Sequence, residues 1–437
     1  MLDILLLEPS SSHKRRYTSK IFTVQGRGNG PRLDDIKVQI GEIRHYCVNH
    51  QHALVNELMT TVALCPDVDV TMAVDASQAV NKIKEISDSS PIAINKSAVI
   101  TRELVPELVS RGYPVIEPYY SEFKPFENRF TDYWQLPDMT LESRWLSFET
   151  PVNLGLRRRR SINISGERDF VGLVGVNTLS AKEASVVMLQ HMGNIGKIFE
   201  QAREIILVAG LDKIVRDLDD AFFQAKCMAI FGSETLPLSI HSGAESEGGI
   251  DDLPFFRATG TTEKIHLILL DNGRSRILQS RYKDLLACIG CRACIKDCPT
   301  SRFFVENVHL SPKEYLYSFI TGNNSSLELC LQSKTCRSNC PLDIDLPGMI
   351  IEAKIRTSGK HLPLSDKFLS KIDVLERLGS SMPWLAGILS NNRLLRWLGE
   401  KMTGISRERH IPRMQRATFA KWFRSREGGG EEDSEDC

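Results

Sequence analysis

The chain alternates between two patterns of hydrophobic and polar positions from Gln51 to Leu278. Apolar residues recurring at helical spacing predict a helix over Ala76–Ser87. Short, continuous apolar runs of the kind found in strands covered on both faces predict strands at Val70–Val74, Pro91–Ile94, Ile205–Ala209 and His266–Leu270. Regular alternation of strands and helices predicts an α/β domain with a largely parallel sheet.

The two ends of the chain follow this pattern less well. The first forty residues have weak periodicity and receive no assignment. Near the other end, apolar residues recur at helical spacing, namely Trp384, Leu385, Ile388, Leu389, Leu395, Trp397 and Leu398. They predict a helix with one apolar face, broken near Asn391 and flanked by Arg393, Arg396 and Lys401. This face could pack on the preceding domain, bind a partner or contact a membrane surface.

Composition and charge narrow the class of protein. With 437 residues, 42% of them hydrophobic, the chain has material for two or three domains. Its 55 basic residues balance 55 acidic ones, which argues against a nucleic-acid-binding surface. Arg157–Arg160 is a basic quartet, either a solvated linker or a docking point, and the acidic residues after Gly428–Gly430 predict a disordered tail.

Location is also constrained by composition. No apolar run is long enough to span a bilayer. Met1–Leu7 is too short for a secretory signal and lacks a basic leader. We expect a cytoplasmic protein, whose membrane role, if it has one, is peripheral at the inner face.

The most specific feature is a run of cysteines. Cys288, Cys291, Cys294 and Cys298, the last followed by Pro299, have ferredoxin spacing. In such runs the first three thiolates bind one iron-sulfur cube, and the fourth belongs to another cluster. A second group is therefore predicted downstream. It exists as Cys330, Cys336 and Cys340, again followed by proline.

The second run keeps the frame of the first but has Ser333 where its second cysteine would stand. A hydroxyl is a harder ligand than the thiolate that these clusters select, so Ser333 is at most a weak ligand. We expect one [4Fe-4S] cluster and a second cluster that is [3Fe-4S] or [4Fe-4S] with a labile iron.

Zinc and disulfides explain these cysteines less well. Structural zinc prefers two cysteine pairs separated by a longer gap, and eleven cysteines in 437 residues is not the density of a disulfide scaffold. The remaining cysteines are scattered along the chain and are interpreted as buried or incidental thiols: Cys47, Cys65, Cys227 and Cys437.

The pair of runs resembles the helical ferredoxin half of succinate dehydrogenase iron-sulfur subunits, in which the second run holds a three-iron cluster. That resemblance implies two ligand sets. The first would be Cys288, Cys291, Cys294 and Cys340. The second would be Cys298, Cys330 and Cys336.

A second resemblance covers most of the chain, roughly Val48 to Trp422. The segment Phe170–Phe222, with its Gly-Asn step and the sequence VAGLDKIV, resembles the LUD domain of lactate-utilisation proteins. Upstream, Asn95–Glu103 and Gly112–Glu117 match the family's lysine-serine and "vvET" segments. Downstream, Leu270–Ser275 leads directly into the cysteines, as in the lactate-utilisation protein B family.

The LUD resemblance implies a sugar-phosphate isomerase or coenzyme A transferase-like α/β fold, followed by an all-α two-cluster ferredoxin domain. It also implies electron transfer in L-lactate oxidation, with a cysteine-rich redox subunit, a second LUD-domain subunit, and a quinone or protein as electron acceptor. The alternative is an electron-relay or assembly subunit of another redox complex, heterodisulfide-reductase-like or quinone-reducing, with a non-catalytic LUD domain.

The chain departs from the LUD pattern where the family has acidic residues. Asn177 replaces one of them, and Lys182 takes the place of a glutamate, with Glu183 one step late. The pocket therefore either binds a different ligand or has become structural. If it is active, the candidate residues are Lys96, Asn177, Lys182, Glu183 and Asn194.

These features predict a domain order. An N-terminal extension (1–45) precedes the LUD domain (46–278) and the helical ferredoxin domain (279–350). A C-terminal helical segment (351–427) and the acidic tail (428–437) follow.

Overall fold

A computed structural model describes most of the chain, namely residues 2–7, 33–88, 90–95, 97–116, 170–189, 194–232, 255–258, 265–295, 297–300, 311–322, 325–358, 370–403, 406–409, 415–416 and 419–427. Arg157–Arg160, Cys437 and the acidic tail lie outside these residues. Contacts divide the chain into two compact units, Met1–Ala353 and Lys354–Cys437.

The strands belong to the first unit. In chain order they are β1 (Ile4–Leu7), β2 (Val68–Ala73), β3 (Ile92–Ile94), β4 (Val115–Ile116), β5 (Val171–Gly175), β6 (Thr178–Ser180), β7 (Val186–Leu189), β8 (Glu204–Gly210), β9 (Ile214–Val215), β10 (Phe255–Arg257) and β11 (Ile265–Leu270). The strands predicted from apolar runs are found, with their ends moved by one or two residues.

A six-stranded sheet with the order β2-β11-β8-β5-β3-β4 forms the centre of this unit, and its strand pairs are parallel. Its two faces bury alternate residues of the same strand. In β8, Ile205 and Leu207 pack into one core, whereas Ile206 and Val208 pack into the other. Burial on both faces explains why this strand is a continuous apolar run rather than an alternating one.

A second, five-stranded sheet has the order β10-β1-β7-β6-β9 and mixes parallel and antiparallel pairs. Its strands β1 and β7 share the larger core with β8 of the first sheet. The sequence analysis did not predict this sheet, because its strands have only two to four residues and too few apolar positions to establish a period.

Helices cover both faces of the six-stranded sheet. Those of the α/β part are α1 (Leu33–Asn49), α2 (Gln51–Val62), α3 (Ala76–Ser87), α4 (Val105–Ser110), α5 (Asn194–Gln201), α6 (Leu218–Phe231) and α7 (Arg274–Leu278). Helix α3 has the predicted bounds: the Asp75 carboxylate accepts a hydrogen bond from the Gln78 amide at its start, and Asp88 ends it in the left-handed region at φ 41°.

The cysteine-rich part is built from short helical turns. These are 3₁₀ turns at Lys283–Ala287, Ala293–Ile295 and Ser325–Leu329, and the helices α8 (Pro312–Ile320), α9 (Thr335–Ser338) and α10 (Leu346–Ser358). A small core containing Leu285, Tyr315 and Ile350 holds them together. Helix α1, which the weak N-terminal periodicity did not reveal, contributes Val48 to this core and Ile43 to the α/β core.

The second unit contains α11 (Ile372–Ser381), α12 (Pro383–Asn391), α13 (Arg393–Thr403) and α14 (Phe419–Glu427). The predicted break near Asn391 lies between α12 and α13. Its cause is Asn392, whose side-chain oxygen accepts hydrogen bonds from the amides of Leu394 and Leu395 at 2.9 and 3.2 Å and so starts a new helix.

Candidate functional site

The first cysteine run forms a loop with two left-handed turns. Cys288 follows the 3₁₀ turn Lys283–Ala287, and the backbone then enters the left-handed region at Gly290 (φ 83°) and Arg292 (φ 62°). Cys291 lies between these two turns, and Cys294 follows the second. The Gly290 amide donates a hydrogen bond to the Cys288 sulfur at 3.4 Å. Such a loop presents sulfurs and amides toward a common centre.

The second run repeats this backbone. Cys330 follows another 3₁₀ turn, and left-handed turns recur at Gln332 (φ 58°) and Lys334 (φ 62°), at the same steps from the first cysteine. The Gln332 side chain donates to the Cys330 sulfur at 3.4 Å, where the first run uses a main-chain amide. Ser333 thus occupies the place of Cys291, in backbone conformation as well as in sequence.

The fourth cysteine of each run lies with the other run. Residues beside Cys298 are tied to the second run: the Asp297 carboxylate accepts from Asn339 at 2.9 Å, and the Thr300 hydroxyl donates to the Leu329 carbonyl at 2.6 Å. The segment around Cys298, which belongs to the first run in sequence, therefore packs against the second cysteine loop.

The electrostatics of the thiols show the same grouping. Burial raises the pKa of Cys294, and Cys288, Cys291 and Cys340 raise it further. Burial also raises the pKa of Cys291 to about 12, with Cys288 and Cys340 adding to the effect. The structure thus brings these four cysteines together. That they are the ligands of one cluster stays a prediction.

The second group contains three cysteines. Burial raises the pKa of Cys336 to about 12, and Cys330 and Cys298 add to the shift. These three thiols line an open pocket that is also lined by Ser333, Tyr315 and Pro347. The Ser333 side chain is exposed, and its oxygen lies 3.0 Å from the Thr335 hydroxyl. Three thiols with one hydroxyl nearby are chemically suited to an iron-sulfur cluster; Cys298 and Cys336 are buried, and Cys330 is half-buried.

Single-ion sites have a different geometry. Within the part of the chain that the structure describes, no three His, Cys, Asp or Glu side chains are close enough to hold one metal ion. An iron-sulfur cluster is bound differently, because each thiolate ligates a different iron.

A buried ion-pair network lies where several parallel strands end, next to the first cysteine group. Arg274, after β11, bonds both carboxylate oxygens of Glu103 at 2.8 and 3.0 Å and pairs with Asp212, after β8. Tyr317 of α8 donates to the Asn272 carbonyl at 2.5 Å and to Glu103 at 3.2 Å. Side chains of the cysteine-rich part therefore close this edge of the sheet, the usual ligand-binding edge of an open parallel sheet.

A single arginine of α1 connects the same regions. The Arg44 side chain is almost fully buried (1% exposed). It donates to the Leu286, Ala287 and Asp212 carbonyls at 2.8, 3.1 and 2.7 Å and to the Gln224 side chain at 3.0 Å. A charged residue among the apolar positions of α1 was the available signal, and the sequence analysis missed it.

Of the five candidate LUD-pocket residues, the structure describes the side chains of three, Asn177, Lys182 and Glu183. Asn177 and Lys182 lie at opposite ends of β6, and the Asn177 side chain accepts from the Leu189 amide at 2.8 Å. Lys182 and Glu183 are exposed in the turn before β7. Lys96 lies outside the described residues, and Asn194 begins α5, where its side chain is not described. The pocket therefore stays a prediction.

The cysteine geometry defines the class of protein, and comparison with known proteins agrees with it. Residues 287–345 match the family model of the 4Fe-4S dicluster domain. The chain is thus an iron-sulfur protein with an N-terminal α/β part.

Curated relatives agree with the resemblance found in the sequence. The chain is 24% identical over 306 residues to Lactate utilization protein B of Geobacillus sp. (strain WCH70). This match covers 65% of this chain and 62% of that protein. It is 25% identical over 283 residues to the protein of the same name from Bacillus cytotoxicus, and this match covers 60% of this chain and 58% of that protein. The chain thus spans about 60% of the length of these relatives. No solved structure matches it.

Among the described residues, none of the helices has the length and apolar character needed to cross a bilayer.

Proposed function

We propose that this chain is the electron-transfer subunit of a complex that oxidises L-lactate or another 2-hydroxy acid. The observation that carries the proposal is the doubled cysteine loop, with four thiols in one group and three in the other. It lies in a 4Fe-4S dicluster domain, and the related proteins bear the name Lactate utilization protein B. Iron-sulfur clusters bound there would supply one-electron transfer.

The two groups favour different clusters. The four thiols Cys288, Cys291, Cys294 and Cys340 suit a [4Fe-4S] cluster. Cys298, Cys330 and Cys336 suit a [3Fe-4S] cluster, or a [4Fe-4S] cluster with a weakly held iron near Ser333. The helical turns around them favour an all-α ferredoxin arrangement for this part of the chain.

The α/β part is better suited to be a scaffold than an active site. Removing hydrogen from the carbinol carbon of a 2-hydroxy acid requires a base, a carboxylate clamp and an electron acceptor. Here the ligand-binding edge of the sheet is closed by Arg274, Glu103 and Tyr317, whose polar groups bond one another. We therefore place substrate oxidation on other subunits, a cysteine-rich redox protein and a second LUD-domain protein, with a quinone or protein as final acceptor.

The same closed edge favours a second candidate function. An electron-relay or assembly subunit of a different redox complex, heterodisulfide-reductase-like or quinone-reducing, would need the cysteine loops but no substrate pocket.

One experiment separates the two functions. The tagged chain is isolated anaerobically with the proteins that copurify, and its electron paramagnetic resonance spectrum is recorded before and after L-lactate is added. Cluster reduction by lactate supports the first function. Reduction by dithionite alone refutes it and supports the relay. D-Lactate is the matched control, because it differs only in configuration.

The helices of the second unit suggest where the chain works. Residues 393–427 contain ten Lys and Arg against three Asp and Glu, and α13 and α14 expose Leu394, Trp397, Phe419 and Trp422. Basic helices with exposed aromatic and aliphatic residues bind anionic lipid surfaces. We therefore place the chain at the inner face of the cell membrane.

Vesicle flotation tests this location. The chain should float with phosphatidylglycerol vesicles and not with phosphatidylcholine vesicles, and Trp422→Ala together with Arg424→Gln should reduce flotation severalfold. Equal behaviour with both lipids, or no flotation at all, would refute a lipid surface as the docking partner.

A further inference from the structure

Two lysines from distant parts of the chain converge on one carboxylate beside the first cysteine group. Lys213 follows β8 and Lys313 lies in the first turn of α8. Their ammonium groups are 3.3 and 3.6 Å from the Asp212 carboxylate. All three side chains are largely buried, with 16%, 20% and 2% exposed for Lys213, Lys313 and Asp212.

The negative charge of Asp212 alone does not balance the positive charges of two lysines. Arg274 already pairs with this carboxylate, and Glu103 is occupied by the other guanidinium nitrogens of Arg274. The nearby Glu314 is engaged as well, because it accepts from the Ser311 amide and lies 3.9 Å from Arg102. Three buried cations, Lys213, Lys313 and Arg274, thus share two carboxylates, Asp212 and Glu103. A buried excess of positive charge is unfavourable unless negative charge compensates it.

The compensating charge lies on the side of Cys288. A methyl group built on Gly290 would come within 3.5 Å of the Lys213 nitrogen, so this lysine touches the first cysteine loop. Burial opposes the charged form of Lys313, but Cys288 first and Asp212 second raise its pKa above the ordinary value. Burial lowers the pKa of Lys213, whereas Asp212 and, more weakly, Cys288 favour its charged form.

We propose that Lys213 and Lys313 are the countercharge of the first cysteine group and raise the reduction potential of the cluster held there. The inference rests on the part of the proposed function that assigns a cluster to Cys288, Cys291, Cys294 and Cys340. The net charge around an iron-sulfur cluster is one determinant of its potential. Asp212 is a positioning residue that keeps both ammonium groups beside the loop.

In this arrangement the α/β part positions a lysine beside the first cysteine loop. The VAGLDKIV segment places Lys213 just after the end of β8, a buried strand that is held by backbone hydrogen bonds on both sides. The first cluster would then be easier to reduce than the same cluster without the two lysines.

The test is a dye-mediated redox titration of the anaerobically isolated full chain, followed by electron paramagnetic resonance. We expect the Lys213→Met, Lys313→Met double variant to shift the reduction equilibrium of the first cluster at least tenfold, which is 59 mV for a one-electron couple. The second cluster should not move. Lys213→Arg, which keeps the charge, should stay within threefold of the wild type.

Lys84→Met together with Lys371→Met is the matched control, because both lysines are exposed and their loss removes the same two charges from the chain. A shift in this control as large as that of the double variant would overturn the proposal. So would an unchanged potential in a double variant with full iron content.

If the methionine variants do not retain iron, the titration is repeated with glutamine at both lysines. A lower reduction potential of the first cluster supports the proposal, and an unchanged potential overturns it. The titration uses dithionite. Failure of lactate to reduce the clusters would refute the proposed function without affecting this result.

Discussion

Arg44→Met should be among the most destabilising single substitutions in the chain. Methionine has a similar length but no hydrogen-bond donor. The change leaves the Leu286, Ala287 and Asp212 carbonyls and the Gln224 side-chain oxygen without the donors that now satisfy them. A side chain that is 1% exposed leaves water little room to replace them.

The size of the effect can be worked out from these contacts. A hydrogen bond to a charged group contributes about 1.5–3 kcal/mol, and an unsatisfied buried acceptor costs about 1–3 kcal/mol. The contributions are not additive, and methionine avoids the desolvation of the guanidinium. We expect a loss of about 3–5 kcal/mol in the free energy of unfolding. At about 2–4 °C for each kcal/mol, the melting temperature should fall by roughly 10 °C.

The assay is thermal unfolding of the anaerobically isolated chain, followed by far-ultraviolet circular dichroism and by the visible absorbance of the clusters. Visible absorbance should be lost first in the variant, because Ala287 directly precedes Cys288. Arg203→Met is the matched control: its ion pair with Glu204 is 45% exposed on the arginine side and 33% on the glutamate side, and such pairs contribute only about 0–1 kcal/mol. A loss below about 1 kcal/mol in Arg44→Met would refute the reasoning.

Four further outcomes are expected. Ser333→Cys should replace a three-iron resonance signal by a four-iron one, and an unchanged spectrum would mean that the two cysteine runs are misaligned. Glu103→Gln breaks a buried bidentate ion pair and should reduce the free energy of urea unfolding by about 3–5 kcal/mol; a change under about 1 kcal/mol would show that water reaches the pair. Gly175→Ala places a methyl group 2.9 Å from a neighbouring valine side chain and should lower stability by about 1–3 kcal/mol, whereas wild-type stability would contradict the tight packing there. Burial raises the pKa of Cys227, so its thiolate forms only at higher pH; mass spectrometry should find alkylation of Cys227 beginning at a higher pH in the folded chain than in the urea-unfolded chain, and coincident profiles would contradict this burial.

The elements predicted best from sequence are those whose own residues determine them. Helix α3 carries its cap, its apolar stripe and its terminating residue within fourteen positions, Asp75 to Asp88. The central strands of the six-stranded sheet are buried on both faces and are therefore unbroken apolar runs. Both signals are local, so a single sequence reveals them.

Elements that depend on partners elsewhere in the chain were not predicted. Strands of two to four residues in the second sheet are stabilised by neighbours rather than by their own pattern. Apolar residues of helix α1 pack into different cores, so they do not form a single apolar stripe along the helix. In the same way, cysteine spacing predicted the paired loops, but the meeting of Lys213 with Lys313 across one hundred positions depends on how the sheet and α8 are packed.

The crossing of the two cysteine loops has a consequence for biogenesis. Cys298 lies with the second loop and Cys340 with the first, so the second set of thiols is complete in a nascent chain only after residue 336, and the first set only after residue 340, has left the ribosome. Iron delivery to either set therefore has to follow synthesis of nearly the whole segment. A chain truncated before residue 336 would offer two partial sites, and a change in one loop would affect the thiols at both centres.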